Sequence, residues 1–222
     1  MQGRIKKIIQ PILASTYHFY LRKKRWYSFD GLRICVNPSV FHPGLLWTTH
    51  YLLSYLKTFS FKGKKVLELG AGSGLISLWI NRVGAVVLAS DLNPAAIESI
   101  EESSAQNKLS VKTIFSDLFD DIPKQEFDFI LINPPFYPQP ASNDRELAFF
   151  CGPDFEYFKR LFQGLKQYIH EESIILMVLS DTCDLLKIEE LASIKGARMD
   201  LKDTQKRWGE KQLIYQINYS NN

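Results

Sequence analysis

Short apolar runs alternate with amphipathic segments along most of the chain, and this alternation predicts its architecture. The apolar runs have the length of strands, whereas the segments between them place leucine and isoleucine at helical intervals. The predicted strands are 65–69, 85–89, 111–115, 127–132, 173–179, 197–202 and 212–219, and the predicted helices are 45–58, 72–83, 94–107, 153–169 and 181–193. Strands that alternate with helices form a parallel sheet covered on both faces. We therefore predict an α/β fold with seven mostly parallel strands, of which the last two form an antiparallel hairpin.

The first 27 residues differ from this body in charge and in pattern. Isoleucine, leucine and tyrosine recur there at helical spacing, although Pro11 would interrupt a helix. Seven basic residues and no acidic one lie in the first 25 residues, which leaves twenty basic against 24 acidic residues, a net charge of −4, in the rest. We predict a basic amphipathic helical arm, residues 1–27, followed by a main domain, residues 28–222, that begins with a hairpin at 28–36. Three roles stay open for the arm: packing on the body, contact with nucleic acid or an acidic partner, and binding to a membrane surface.

The composition fits a globular domain with a sizeable core, since 45% of the 222 residues are hydrophobic and 23% are charged. The cysteines Cys35, Cys151 and Cys183 are odd in number and contain no Cys-x-x-Cys pair, so neither a zinc site nor a disulfide framework is predicted. This cysteine usage favours a reducing, cytoplasmic location. The sequence contains no run of about 18 apolar residues, so no membrane-spanning helix is predicted.

A glycine-rich segment follows the first strand of the main sheet and opens the next helix. Its sequence is Glu68-Leu69-Gly70-Ala71-Gly72-Ser73-Gly74. The dinucleotide-binding pattern G-x-G-x-x-G is not completed whether it is started at Gly70 or at Gly72. Glycines at such a turn let the backbone approach a ligand closely. A carboxylate at the strand end suits a ligand that carries an ammonium group, and a pyrophosphate does not fit beside it. We therefore predict a small-molecule site at this turn.

Acidic residues follow the next two strands. Asp91, with Leu92 beside it, lies where nucleotide-binding α/β folds use an acid to accept both ribose hydroxyls, although it could instead cap the following helix. Asp117, preceded by Ser116, is placed to accept an adenine amino group, or else it is a capping or solvated aspartate. Together with the glycine turn, these positions predict a nucleoside-binding edge.

The strand 127–132 ends abruptly at Asn133-Pro134-Pro135-Phe136. Neither proline has an N–H to donate to a sheet ladder, so the segment must be a stiff corner that displays a side-chain amide. It opens the one long loop of the body, residues 133–152, and a loop of that length in a compact domain is usually functional.

These motifs resemble those of class I S-adenosylmethionine-dependent methyltransferases, over about residues 37–180. The glycine turn, Asp91 and Asp117 occur in the same order along the chain as the corresponding motifs of that family. Residues 133–136 are similar to its (D/N/S)-P-P-(Y/F/W) motif. Residues 40–44, Val-Phe-His-Pro-Gly, resemble its small-domain branch, which includes release-factor glutamine and ribosomal RNA guanine methyltransferases. The resemblance implies a Rossmann-like fold and S-adenosyl-L-methionine as cofactor. It implies cofactor contacts from Glu68, Gly70, Ala71, Gly72, Gly74, Asp91, Leu92, Ser116, Asp117 and Asn133, and catalysis by Asn133, Pro134, Pro135 and Phe136.

The resemblance implies methyl transfer to a planar nitrogen and leaves the acceptor open between an RNA base and a protein glutamine. Glutamine-modifying members usually carry an acid where this chain has Leu46-Trp47-Thr48, and Phe136 replaces their tyrosine. These departures and the basic arm favour the exocyclic amine of an RNA base slightly over a glutamine side-chain amide. A third hypothesis is a catalytically inactive scaffold that binds S-adenosylmethionine and docks a partner through the arm.

Overall fold

The computed structural model of the chain describes residues 23–44, 47–142, 146–207 and 209–219. Most of the predicted helical arm, residues 1–22, lies outside the described residues, as do Leu46 and Trp208. The remaining chain contains five α-helices and nine strands within the described ranges.

The helices and strands alternate as the apolar pattern predicts. The strands are β1 (Arg25–Phe29), β2 (Leu32–Val36), β3 (Lys65–Leu69), β4 (Val86–Asp91), β5 (Lys112–Phe115), β6 (Phe127–Ile132), β7 (Ile169–Ser180), β8 (Ala197–Arg207) and β9 (Glu210–Tyr219). The α-helices are α1 (Trp47–Leu56), α2 (Leu75–Arg82), α3 (Pro94–Asn107), α4 (Glu156–Gly164) and α5 (Leu185–Ile194), and 3₁₀ turns occupy Glu146–Ala148 and Leu165–Tyr168.

Seven strands form one sheet in the order β5-β4-β3-β6-β7-β9-β8. The pairs from β5 to β7 are parallel, whereas β9 pairs antiparallel with both β7 and β8. The predicted α/β architecture with an antiparallel final hairpin is therefore confirmed. From β3 the chain winds outward through β4 and β5 and then returns to the other side of β3 with β6. A parallel sheet binds its ligands at the carboxyl ends of the strands beside such a reversal.

The core lies on both faces of this sheet. Val66 and Leu67 are neighbours in β3 but belong to different hydrophobic clusters, and the same is true of Ile130 and Leu131 in β6. Alternate side chains of a strand point to opposite faces, so a strand covered on both sides must be apolar at nearly every position. The unbroken apolar runs of the sequence follow from this double burial.

The helix α3 shows how local sequence sets an element's start. The Asn93 side chain accepts a hydrogen bond from the Ala95 N–H at 3.0 Å, and Pro94 fills the first helical position, where no N–H is needed. Both of its bounds agree with the predicted helix 94–107. The predicted strands 65–69 and 127–132 are also confirmed at both ends.

Several predicted boundaries are wrong. The strands β7 and β8 extend beyond the predicted 173–179 and 197–202, and α5 begins at Leu185 and not at 181. Three further boundaries have a local structural cause or change the division of the chain. The strand β1 begins at Arg25, so Arg25, Trp26 and Tyr27 belong to the hairpin and not to a helical arm. The helix α2 begins at Leu75, because Gly72 and Gly74 adopt left-handed backbone angles, with φ of 53° and 74°, that end the turn before a helix can start. The predicted helix 153–169 is replaced by the shorter α4 and a 3₁₀ turn, since Phe155 has a φ of 57°.

A pair of glycine substitutions tests how tightly the turn before α2 is packed. A methyl group on Gly74 would lie 2.5 Å from Cγ1 of Ile100 in α3, whereas one on Gly196, whose φ of 75° is nearly the same, would meet nothing within 4 Å. Gly196→Ala should lower the free energy of unfolding by about 1 kcal/mol through backbone strain alone. Gly74→Ala should lower it by about 2–4 kcal/mol, because overpacking adds to the strain.

Urea denaturation of the two variants and the parent protein measures this difference. Equal losses of stability in Gly74→Ala and Gly196→Ala would contradict the close contact between the turn and α3.

Candidate active site

A cavity of about 630 Å³ opens at the carboxyl ends of the parallel strands, where the strand order reverses. Its volume is within the range of sites that hold small molecules. The glycine turn and the end of β4 form one side, the loop 133–152 and the start of α1 form the middle, and the β8–β9 hairpin forms the other side. The predicted site residues that line it are Glu68, Gly70, Ala71, Gly72, Asp91, Leu92, Ser116, Asp117, Asn133, Pro134, Pro135 and Phe136.

The glycine turn is fixed by backbone hydrogen bonds to the end of β4. The N–H groups of Gly70 and Ala71 both donate to the Ser90 carbonyl, at 2.9 and 3.0 Å. A methyl group on Gly70 would meet no atom within 4 Å, so the backbone presents an open face at this point. Gly74 is the exception among the predicted residues, because it packs against Ile100 and does not line the cavity.

The carboxylate of Glu68 holds the start of α2. Gly74, the N-cap residue, has no side chain to satisfy the first N–H groups of the helix, and Glu68 accepts the Ser77 N–H at 2.8 Å together with the Ser77 hydroxyl. Burial raises the pKa of Glu68 to about 8, although both bonds from Ser77 act against this shift. Glu68 is therefore a structural brace in the cavity wall, and its contact with a ligand's ammonium group stays a prediction.

Asp91 ties the glycine turn to β4. Its Oδ2 accepts the Gly72 N–H and its Oδ1 accepts the Asn93 N–H, both at 2.8 Å. Burial raises the pKa of this carboxyl group. Each carboxylate oxygen has lone pairs for a second hydrogen bond. The predicted contact with two ribose hydroxyls is thus compatible with the bonds that Asp91 makes here.

The two residues after β5 have different roles. The Ser116 hydroxyl donates to the Leu118 carbonyl and accepts the Asp121 N–H, both at 3.0 Å, so it shapes the turn from within. Asp117 forms an ion pair with Arg160 of α4, with Nη1 and Oδ2 2.6 Å apart. No sequence motif pointed to Arg160, because it lies on a helix more than forty positions away along the chain.

The corner after β6 displays the Asn133 amide inside the cavity. Its Nδ2 donates to Oγ1 of Thr48 at 3.3 Å and faces Oγ1 of Thr49 at 3.5 Å, so the first turn of α1 orients the amide. Because the nitrogen donates to α1 and the residue lines the cavity, the Oδ1 atom of the same amide can accept a hydrogen bond from a ligand. Neither threonine was among the predicted site residues, since helix-forming threonines carry no signal that they hold a distant amide.

The long loop folds back over the corner. The N–H groups of Phe136 and Tyr137 both donate to the Phe149 carbonyl, at 3.1 and 3.0 Å. The Phe149 ring lies 5.8 Å from the ring of Phe41, and both line the cavity. The loop therefore surrounds the corner with aromatic surface, which suits a flat ligand.

The β8–β9 hairpin supplies a polar wall that the sequence did not predict. This hairpin wall consists of Arg207, Glu210 and Gln212, all of which line the cavity. The Arg207 guanidinium lies over the Trp47 ring, 3.7 Å from its centre. Alternating strand residues in an edge hairpin give no sign of a site, because only the tertiary fold brings them beside Asn133.

The described part of the chain has no group of three or more histidine, cysteine, aspartate or glutamate side chains arranged to hold a metal ion. Within those same ranges, no helix combines the length and apolar character that crossing a membrane requires. All three cysteines are free.

Comparisons with known proteins agree on one family. The model of the methyltransferase small domain matches residues 31–151. A putative protein N5-glutamine methyltransferase of Methanocaldococcus jannaschii is 30% identical over 143 residues, which is 64% of this chain and 69% of that protein. Ribosomal RNA small subunit methyltransferase C of Haemophilus influenzae is 35% identical over 150 residues, and the match covers 61% of this chain but only 44% of that relative.

Solved structures share the fold at lower sequence identity. A 16S rRNA methyltransferase from T. thermophilus, solved with AdoMet and guanosine, has a TM-score of 0.62 at 19% identity, covering 87% of this chain and 50% of that one. The E. cuniculi Mtq2–Trm112 complex, described as methylating the termination factor eRF1, also has a TM-score of 0.62, at 20% identity, covering 82% and 99%. Identities this low establish the shared Rossmann-like methyltransferase fold only.

The raised pKa of Glu68 predicts a specific pH dependence of stability. A pKa of about 8, against an ordinary value near 4.5, means that the folded chain binds the proton more tightly than the unfolded chain does. The stabilisation from this proton is complete when the pH is below the ordinary pKa near 4.5, and it is lost as the pH rises through the folded-state pKa of about 8. Glu68→Gln keeps an oxygen acceptor for Ser77 but cannot titrate, so its stability should fall less between pH 5 and 8.

Urea denaturation of both proteins at several pH values measures the difference. The stability of the parent protein relative to the variant should fall by up to about 1.4 kcal/mol per pH unit in that window. Parallel stability curves would show that Glu68 does not have the raised pKa.

Proposed function

The chain belongs to the methyltransferase small domain family, whose model matches more than half of it, and from this premise we propose that it transfers the methyl group of S-adenosyl-L-methionine to a planar nitrogen. One observation supports the proposal: the Asn133 amide, which α1 orients, and the glycine turn line the same cavity.

The donor side of the cavity fits a nucleoside with an amino acid tail. Asp91 suits ribose hydroxyls, and Asp117, held by Arg160, suits the adenine amino group. The open backbone at Gly70 leaves room for close approach of the ligand. When bound, the cofactor supplies a strongly electrophilic methyl group, so the chain needs no metal or strong base to activate it.

The corner's role is to hold a poor nucleophile. An amide or aryl amine nitrogen delocalises its lone pair into a π system. In the proposed mechanism, Oδ1 of Asn133 and the Pro134 carbonyl accept its two N–H groups, which fixes its position and favours a localised lone pair. As the new N–C bond forms, the bond from the methyl carbon to sulfur breaks, and water takes the released proton. Phe136 stacks on the planar acceptor.

The acceptor that we favour is the exocyclic amine of an RNA base, with a protein glutamine amide as the alternative. The names of the relatives include both acceptor classes. The aromatic surface formed by Phe136, Phe149 and Phe41 suits a heterocycle, whose large flat face gains more from stacking than a side-chain amide does. The basic charge of the first 25 residues also favours an RNA acceptor.

The inactive-scaffold hypothesis makes a different prediction from either acceptor. A scaffold would bind S-adenosylhomocysteine without transferring methyl groups. The intact sequence of residues 133–136 and their place in the cavity wall argue against it. The cytoplasmic location predicted from the cysteines is part of the proposal, since it places the enzyme with both acceptor classes.

Labelled methyl transfer tests the proposal. The purified chain is incubated with radiolabelled S-adenosylmethionine and cell extract, and samples are then treated with ribonuclease or protease. Loss of label with ribonuclease alone identifies RNA, and loss with protease alone identifies protein. No incorporated label, despite measurable binding of S-adenosylhomocysteine, would favour the scaffold.

The variant Asn133→Ala tests the corner. Removing the positioned amide should lower turnover by a factor of about 100 or more. Affinity for S-adenosylhomocysteine, measured by calorimetry, should stay nearly unchanged, because the donor side is formed by other residues. Asn218→Ala is the matched control, since Asn218 bonds Asp200 at the sheet edge and does not line the cavity. Full turnover in Asn133→Ala would contradict the catalytic assignment.

A further inference from the structure

The helix α4 presents an aromatic side chain to the donor side of the cavity. This residue is Tyr157, which lies in the first turn of α4, is half-buried and lines the cavity together with Asp91 and Asp117. No sequence motif pointed to it, since an aromatic residue at helical spacing is typical of the core. Its presence in the cavity wall therefore needs an explanation from the structure.

Two contacts fix the start of α4 and, with it, the position of Tyr157. The Tyr157 N–H donates to the Cys151 carbonyl at 3.1 Å, which ties the helix to the end of the long loop. The adjacent Phe158 is fully buried, and its ring centre lies 5.4 Å from that of Tyr157 at an interplanar angle of 83°. With Phe158 in the core, Tyr157 lies on the neighbouring side of the helix, next to the cavity.

Tyr157 lies beside the acid that is proposed to hold the base. Residues three positions apart in a helix are neighbours on its surface, so Tyr157 adjoins Arg160. Arg160 donates to Asp117, with Nη1 and Oδ2 2.6 Å apart, and it lines the same cavity. The start of α4 therefore brings the phenol to the end of the cavity where the adenine amino group is proposed to bind.

The Tyr157 hydroxyl has no acceptor among the described residues, because it makes no hydrogen bond with any of them. Burial raises the pKa of Tyr157, and the carboxylates of Asp91 and Asp117 act in the same direction, so the phenol keeps its proton at neutral pH. Withdrawing a polar group from water costs free energy unless the group finds a partner. We expect that partner to come from a ligand in the cavity.

The proposed nucleoside offers such an acceptor between the two acids. Its ribose hydroxyls would donate to Asp91 and its amino group to Asp117, so the donors of the ligand occupy both carboxylates. The groups of adenosine that remain in this region are acceptors: the ring nitrogens of the base, and the ether oxygen of ribose, which accepts more weakly. A protonated phenol complements a ring nitrogen, whereas another carboxylate in its place would repel it.

We propose that Tyr157 is a specificity-determining residue of the donor site, whose hydroxyl donates a hydrogen bond to a ring nitrogen of the adenine base. This inference rests on the proposed function, which supplies the bound nucleoside. Asp91 and Asp117 would recognise donors of that nucleoside, and Tyr157 would recognise an acceptor. A site built around such a hydrogen bond rejects analogues that lack the partner atom more strongly than an apolar pocket does.

Analogues of S-adenosylhomocysteine test the proposal. The 1-deaza, 3-deaza and 7-deaza analogues each replace one ring nitrogen of the base by C–H, which cannot accept a hydrogen bond. Calorimetry should show that at least one of them binds the parent protein about tenfold more weakly than S-adenosylhomocysteine does, because the phenol then has no partner. Tyr157→Phe should weaken the binding of S-adenosylhomocysteine itself by about tenfold.

The comparison between the two proteins identifies the contact. In Tyr157→Phe, the analogue that the parent protein rejects should bind within about twofold of S-adenosylhomocysteine, since no phenol is left to lose its partner. The urea midpoint of this variant should match that of the parent protein, because the hydroxyl bonds no described residue. The matched control is Tyr55→Phe, the same change in α1 at a residue that packs on Phe59 and does not line the cavity. It should keep the parent's preference among the analogues.

Two results would overturn the inference. One is the same preference among the analogues in the parent protein and in folded Tyr157→Phe, which would show that other groups recognise the base. The other is equal binding of S-adenosylhomocysteine and all three analogues by the parent protein, which decides the question even if Tyr157→Phe does not fold. A parent protein that binds no S-adenosylhomocysteine at all would contradict the cofactor of the proposed function, and this inference with it.

Discussion

Two carboxylates, the buried Glu68 and the partly buried Asp91, hold the glycine turn and the helix that follows it, and the rest of the site depends on that restraint. Glu68 accepts the Ser77 N–H in the first turn of α2, and Asp91 accepts the N–H of Gly72. Both carboxyl groups have raised pKa values because they are buried. The bond from Gly72 fixes the turn itself and the bonds from Ser77 fix the helix that follows it, and losing either set would leave polar groups of the site without partners. A ligand that binds here meets a turn whose shape is already fixed.

The reversal of strand order divides the sheet edge into two halves. The strands β5, β4 and β3 end at the side proposed to bind the methyl donor. The strands β6, β7 and β8 end, and the antiparallel β9 begins, at the side proposed to bind the acceptor. Asn133 follows β6, the first strand beyond the reversal, so the corner lies at the boundary. Methyl transfer requires the two substrates to meet in line, and this boundary brings them together without movement of whole elements.

Sequence reasoning succeeded where the signal is local. The cap at Asn93, the proline that follows it and the apolar run of β6 each specify an element from a few adjacent residues, and those bounds are confirmed. The glycine spacing predicted the turn, but it could not separate Gly70, which faces open space, from Gly74, which packs on Ile100. That distinction depends on a helix that lies about 26 positions later in the chain.

Contacts made by tertiary folding had no sequence signature. The threonines that orient Asn133 lie about 85 positions before it, and Arg160 lies 43 positions beyond Asp117. Glu210 and Gln212 alternate with other polar residues in an edge hairpin, which reads as an ordinary half-solvated strand. Their meaning appears only when the sheet places the hairpin beside the corner.

A crystal structure with S-adenosylhomocysteine bound tests the central claim most directly. The account predicts the ribose at Asp91, the adenine beside Asp117 and the sulfur directed at Oδ1 of Asn133 across the reversal of strand order. A nucleoside bound at another place, or a sulfur atom directed away from the corner, would contradict it.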